Sequence, residues 1–152
     1  LTMGVVQPGE RLFATVSSAS LQLENRKTFD PKATVKYHID VVVGSRKWVY
    51  VFACHRVCSE VGLPLTGTLC VCSVKRRYSH FHFLNKALTA RYPGFKANLP
   101  PKRSFFTLDK RFIEGRRVKL DAWLQTALAH FHVSRGFELR CFLDPVNDTF
   151  TR

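Results

Sequence analysis

Acidic residues are scarce in this chain: 11 Asp and Glu stand against 24 Lys and Arg, leaving a net charge of +13 and a pI near 10.0. An imbalance of that size points to an anionic partner, whether nucleic acid, a phospholipid surface or a strongly acidic protein. Long apolar runs are missing too, and none approaches the roughly 18 residues a transmembrane helix needs. No signal-peptide pattern precedes the 5 cysteines, and their count is odd. That argues against a secreted disulfide scaffold and for a reducing compartment. The signatures of catalysis are also absent. There is no nucleophile elbow, no phosphate-cradling glycine loop and no His-x-x-x-His with a glutamate, and few acids lie near the basic segment. His80/His82 and His130/His132 are each two apart, so each pair points to different helix faces. No enzyme is expected.

With 152 residues, 45% of them hydrophobic, the chain is long enough to bury the core of one domain. Its charge is concentrated: 13 of the Lys and Arg fall between Lys75 and Lys119, accompanied only by Asp109 and Glu114. The remainder is nearly neutral. A charge serving solubility alone would be interleaved in sign, so a focused electropositive site is the better reading.

Along the chain, "RLFATVSSASLQL" alternates loosely as a strand. "TVKYHIDVVV" sets Val35, Tyr37, Ile39 and Val41 on one side at period two. "GSRK" reads as a turn into "WVYVF", giving a hairpin over 33–53. The middle, "ACHRVCSEVGLPLTGTLCVCSV", reads as a loop whose last part, "LCVCSV", resembles a strand. From Tyr78 the period becomes helical, with Phe81, Leu84 and Leu88 on one stripe until Pro93-Gly94. Pro100 and Pro101 forbid a helix at the centre of "FKANLPPKRSFFTLDKRF", which reads as a basic, aromatic-bearing loop. "IEGRRVKLDAWLQTALAHF" places Leu120, Leu124, Ala127, Leu128 and Phe131 on one face, and "FELRCFL" forms a short last helix. Phe81, Leu84, Trp123 and Leu124 are assigned to the core. Strands first and helices after predict an α+β fold, a small three-stranded antiparallel sheet packed against a helical subdomain with a proline-rich loop.

Three cationic groups flank that loop: Arg76/Arg77 with Tyr78, Lys102, and Arg116/Arg117. Each sits at an element boundary, so side-by-side helices would bring them to one pocket. Guanidinium forks suit phosphate, a lysine supplies a mobile charge for a second phosphate, and a tyrosine ring offers a flat floor for a sugar-like ring. The ligand chemistry is therefore a ring carrying at least two phosphates. Lys75 and Arg76 read as solvated or sheet-end charges rather than ligands, and Arg117 as a helix-surface partner of Glu114 at i+3 spacing.

"RRYSHF" resembles the Arg-Arg-Tyr-Ser-Asp-Phe signature of the PX (phox homology) domain, the phosphoinositide-binding module of sorting nexins. "LPPK" resembles its proline-rich loop, and "FIEGRRVKL" its Phe-Ile-Glu-x-Arg-Arg-x-x-Leu helix start. The resemblance implies a PX-like domain over residues 10–144, with an N-terminal extension (1–9), an insertion (53–74) and a C-terminal tail (145–152). It also implies a lipid-headgroup site for phosphatidylinositol 3-phosphate. Arg77 would grip the 3-phosphate, Tyr78 would lie under the inositol, Lys102 would reach the 1-phosphate, and Arg116 would bond the 4- and 5-hydroxyls. Phe105 and Phe106 would form a membrane-insertion loop. The protein would then be cytoplasmic and peripheral on endosomal membranes, serving vesicle or protein trafficking. Further protein partners would bind through the rest of a full-length chain. The alternative is a basic protein- or nucleic-acid-interaction domain without specific lipid binding, disfavoured because helical packing claims the aromatics at 81 and 83.

Two departures from the family pattern stand out. More than twenty residues separate "KWVYVF" from Arg76, and His80 replaces the usual Asp. Cys54, Cys58, Cys70 and Cys72 invite a zinc reading, but their spacing is not that of a zinc knuckle. "LCVCSV" also alternates as a buried strand would, with Cys as a small hydrophobe. Neither metal nor cofactor is expected.

Overall fold

The computed structural model describes residues 11–22, 34–44, 70–102 and 109–145. Three strands, β1 (Arg11–Gln22), β2 (Thr34–Gly44) and β3 (Cys70–Arg77), form one antiparallel sheet in the order β1-β2-β3. Four helices follow among the described residues: α1 (Tyr78–Arg91), α2 (Lys110–Ala129), α3 (Phe131–Ser134) and α4 (Phe137–Leu143). The architecture is α+β, as the order of periodicities implied.

The period-two stripe of β2 sets the sheet's inner face. Tyr37, Ile39 and Val41 are buried there, joined by Ala14 and Val16 of β1 and Val74 of β3. β1 pairs with β2 from Gln22↔Thr34 to Arg11↔Gly44, and β3 pairs with it from Arg77↔Lys36 to Cys70↔Val43. Both edges of β2 are thus occupied, which corrects the expected 33–53 hairpin. The strand beside β2 comes from "CVCSVKRR", and Trp48–Phe52, like Cys54 and Cys58, lies outside the described residues.

β1 is an edge strand, and unpaired edge groups must find partners or meet water. Here α2 supplies them at helical spacing. Arg117 donates to the Val16 carbonyl at 2.5 Å, Asp121 accepts from the Val16 amide at 2.8 Å, and Gln125 donates to the Ala14 carbonyl at 2.8 Å. Arg117 also pairs with Glu114 at 2.7 Å, as its spacing predicted, but its second bond makes it part of the scaffold.

Phe81 anchors the helical half. Its ring lies edge-on to Tyr37 at 6.1 Å, Trp123 at 5.9 Å and Phe142 at 4.9 Å, tying β2, α2 and α4 to α1. The Trp123 indole N–H finds Asn85 Oδ1 at 2.9 Å. Leu84, Leu88, Leu120, Leu124 and Ala127 are buried as the stripes required, whereas Phe131 is 63% exposed. α2 ends at Ala129. His130 then adopts an extended backbone and its ring accepts from the Val133 amide, starting α3 in a new direction and turning Phe131 outward beneath the Arg135 guanidinium.

The largest departure from expectation is Arg76. It is no solvated charge: only 3% of it is exposed. It points inward beside Val74 while its neighbours Lys75 and Arg77 face out. Its Nε donates to the Phe142 carbonyl and its Nη2 to the Asp144 carbonyl, both at 2.8 Å, and its guanidinium lies over the Phe142 ring. A cation at the carbonyl end of α4 satisfies groups that the helix leaves open and opposes its negative pole. Burial pulls its pKa below the usual value, and the Asp144 carboxylate offsets part of that.

Candidate functional site

The chain turns from sheet to helix at Arg77, whose extended backbone (φ −83°, ψ 160°) makes it the N-cap of α1. Period-two alternation sends Arg76 into the protein and leaves Arg77 exposed on the opposite face of the strand. Tyr78 opens the helix and reaches across to the proline loop, its hydroxyl donating to the Pro100 carbonyl at 2.5 Å. Pro100 is buried and Pro101 and Lys102 are exposed, so the loop is pinned by one residue and presents the next two.

Arg116 completes the corner from α2. Its guanidinium lies 4.5 Å from the Tyr78 ring centroid and 4.5 Å from that of Phe112, held between two aromatic faces, and its Nη2 donates to the Pro101 carbonyl at 3.2 Å. Cation–π contact and a fixed acceptor pre-set the fork without neutralising its charge. Burial raises the Tyr78 phenol above its ordinary pKa and Arg116 counters it. The same two influences act, in the same order, on the buried Tyr37.

Two cavities meet at the prolines. One, about 310 Å³, is bounded by Tyr78, His82, Asn85, residues 97–99, the prolines and Lys102. The other, about 290 Å³, is bounded by the prolines, Phe112, Gly115, Arg116 and Lys119. The fold therefore gathers Tyr78, Lys102 and Arg116 around one corner. Arg77 lines neither cavity and stands beside that corner as the residue next to Tyr78. Phe105 and Phe106 lie outside the described residues.

Three contributors were not legible as such. Phe112 sits one helical turn before Arg116, a spacing that could have revealed it. His82, whose ring tilts against Tyr78 at 6.4 Å, and the buried Tyr37 enter through tertiary packing. His80 serves the start of α1. Its Nδ1 accepts from the Arg77 amide at 3.3 Å, satisfying an open donor of the helix. That bond needs a neutral ring. Burial, followed by Arg76, Arg77 and Lys36, lowers His80 to about 4. Among the described residues no group of His, Cys, Asp and Glu is placed to hold a metal, and Cys72 is half-buried and packs against the core.

Comparison with known proteins gives a consistent result. Residues 66–145 match the PX domain. Mouse sorting nexin-16 is 41% identical over 71 residues, which is 46% of this chain and 21% of that protein. Sorting nexin 1 of Arabidopsis thaliana is 30% identical over 139 residues, 89% of this chain and 34% of that protein. Among solved structures, a designed CISK-PX domain superposes with a TM-score of 0.60 at 23% identity, covering 86% of this chain and 97% of its own. The mouse SNX19 PX domain with bound sulphate ion gives 0.56 at 14% identity, covering 88% and 96%. The chain thus spans between a fifth and about a third of these sorting nexins, and nearly the whole of the solved domains.

Proposed function

The chain belongs to the PX domain family, whose members are phosphoinositide-binding modules, and from that premise we propose that it recognises phosphatidylinositol 3-phosphate and docks its parent protein on endosomal membranes from the cytoplasm. The observation that carries the reading is the corner formed by Tyr78, Arg116 and the loop ending in Lys102. An aromatic platform, a positioned guanidinium fork and an exposed ammonium group are brought together there with no acid among the lining residues. In this reading Arg77 takes the 3-phosphate, Lys102 the 1-phosphate, and Arg116 the 4- and 5-hydroxyls. Arg116 already covers one face of the Tyr78 ring, so the inositol rests against the rest of the platform. The relative solved with a bound sulphate is consistent with an anion site in this fold. Phe105 and Phe106 add shallow insertion into the bilayer. The module binds and does not catalyse. The match to rat PX domain-containing protein kinase-like protein covers 12% of that protein. Trafficking, and any protein partners, belong to the longer polypeptide.

Vesicle flotation with a panel of singly and multiply phosphorylated phosphoinositides tests this. Binding should favour the 3-phosphorylated lipid. Arg77→Ala should weaken it by about 10–100-fold, the loss of one or two charge-assisted hydrogen bonds. Equal binding to every anionic lipid, or an unchanged Arg77→Ala variant, would refute it. Steep salt-dependent binding to DNA at comparable strength would favour a nucleic-acid reading instead.

A further inference from the structure

The helical layer has two ends. α1 and α2 come together at the headgroup corner, where the Arg116 guanidinium lies 4.5 Å from the Tyr78 ring centroid. They also finish together, because Tyr92, just past the end of α1, meets His130, just past the end of α2, at 6.4 Å between ring centroids. The 14 residues of α1 put about 20 Å between the two ends. At the far end the chain makes a tight corner. His130 stops α2 and caps α3, the Gly136 amide donates to the Val133 carbonyl at 2.9 Å, and Arg91 of α1 pairs with Glu138 of α4 at 2.5 Å. A side chain at position 136 would press within 2.9 Å of the Tyr92 hydroxyl oxygen and 3.1 Å of the Val133 carbonyl oxygen, so only glycine lets the corner close this far. The turn holds its aromatic rings outward. Phe131 is 63% exposed and Phe137 is 53% exposed. The Arg135 guanidinium lies 3.9 Å from the Phe131 ring centroid, and His132 stands edge-on to the same ring at 5.2 Å. A single exposed phenylalanine is ordinary, but two on one corner with a stacked arginine are the composition that protein interfaces concentrate. The charge here has one sign. From His130 to Leu143 the sole acid is Glu138, which Arg91 occupies, and Arg135 makes no ion pair among the described residues.

We propose that the α3–α4 corner, through Phe131, Arg135 and Phe137, docks an acidic segment of a protein partner that carries an aliphatic or aromatic anchor. Charge complementarity selects an acidic occupant. A second copy of this chain would set a net charge of +13 against its equal, and that repulsion opposes it. The headgroup corner lies at the opposite end of α1, which favours a protein over the bilayer held there. That step alone rests on the phosphoinositide reading. The partner's anchor packs on the exposed Phe rings while a carboxylate takes the Arg135 fork, whose stacking on Phe131 positions it and leaves its charge intact. Because the corner is closed before the partner arrives, little ordering remains on this side of the contact.

The test uses the intact chain and a short fluorescein-labelled peptide of Asp and Glu that carries one Leu and one Trp, with a control peptide in which Ser replaces both apolar residues. Binding is read by fluorescence anisotropy without lipid. In parallel, flotation is read on vesicles of phosphatidylcholine carrying phosphatidylinositol 3-phosphate. The parent should bind the anchored peptide saturably and the Ser control about tenfold more weakly. The double variant Phe131→Ser/Phe137→Ser and, independently, Arg135→Glu should each weaken the anchored peptide by about tenfold and leave flotation unchanged. Absence of saturable binding overturns the proposal. Variants that bind as the parent does also overturn it, because the peptide would then be reading the basic surface at large. Equal losses in flotation overturn it as well, since the corner would then be a membrane contact. A parent that sediments as a dimer while the variants sediment as monomers overturns it in favour of a second copy. If the variants lose the peptide while the parent fails to float on the phosphoinositide vesicles, the corner stands and the phosphoinositide reading falls.

Discussion

Two adjacent arginines of one motif should behave oppositely, and Arg76→Met is the sharper test. The guanidinium of Arg76 makes two hydrogen bonds of 2.8 Å to carbonyls at the end of α4 and lies over the Phe142 ring. Hydrogen bonds from a charged donor contribute roughly 1.5–3 kcal/mol each. Those figures are already net of solvation, so the two bonds bound the loss at about 3–6 kcal/mol, and Met refills part of the volume. The net loss is about 3 kcal/mol. For a chain of this length that corresponds to about 6–12 °C in Tm. Arg77→Ala removes an exposed side chain and should leave stability within about 0.5 kcal/mol while weakening lipid binding. Urea titration of parent, Arg76→Met and Arg77→Ala, followed by circular dichroism, reads the stability of each, and vesicle flotation of the same three proteins reads the binding. If Arg76→Met unfolds with the parent's midpoint, or Arg77→Ala proves the more destabilising, the division between scaffold and site is wrong.

Other outcomes follow from the same contacts. His80 titrates at about 4 when folded and near the ordinary 6.5 when unfolded, so the unfolded chain binds the extra proton between those values. Its contribution is complete above about 6.5 and is lost as pH falls toward 4. Discounted for a half-exposed ring it amounts to about 1 kcal/mol. His80→Asn should flatten the stability profile between pH 7 and 5, and an unaltered profile would exclude the assignment. Asp121→Ala removes the acceptor for the Val16 amide and the Thr15 hydroxyl. It should cost about 1–3 kcal/mol and speed hydrogen exchange at Val16, whereas slow exchange in the variant would mean that α2 does not guard the edge. Phe81→Ala empties the centre of the aromatic cluster and should cost about 3–5 kcal/mol. A loss below 1 kcal/mol in urea titration would contradict that packing.

How far the sequence can be read depends on whether a residue's fate is set locally. Tyr37, Ile39 and Val41 alternate, and Phe81, Leu84 and Leu88 recur at helical spacing, so their burial follows from spacing alone. The partner of β2 does not. Two β-rich runs follow it, and the nearer one resembles the second arm of a hairpin, whereas "CVCSVKRR" takes the position. Strand pairing at long separation leaves no local mark. Arg76 escapes a local reading for the same reason. A cation in a basic run looks solvated until the carbonyls of a helix more than sixty residues away are brought to it. Tyr78 opens α1 as its motif implied, whereas Arg116 lies in the second turn of α2, which begins at Lys110 and so starts earlier than the expected helix head. The three motifs in order, more than the element ends, are what let the proximity of Tyr78, Lys102 and Arg116 be anticipated. The clamp of Phe112 on Arg116, one helical turn apart, is open to the same spacing argument but falls in a stretch that the prolines make read as loop.

The claim on which the function rests is that Arg77, Tyr78, Lys102 and Arg116 hold one headgroup. Titrating the isotope-labelled chain with soluble short-chain phosphatidylinositol 3-phosphate and following backbone and guanidinium resonances by NMR addresses it directly. The account predicts that signals at all four residues move together along one saturable curve. Shifts scattered over the basic surface without saturation, or a curve that leaves Arg77 untouched, would contradict it.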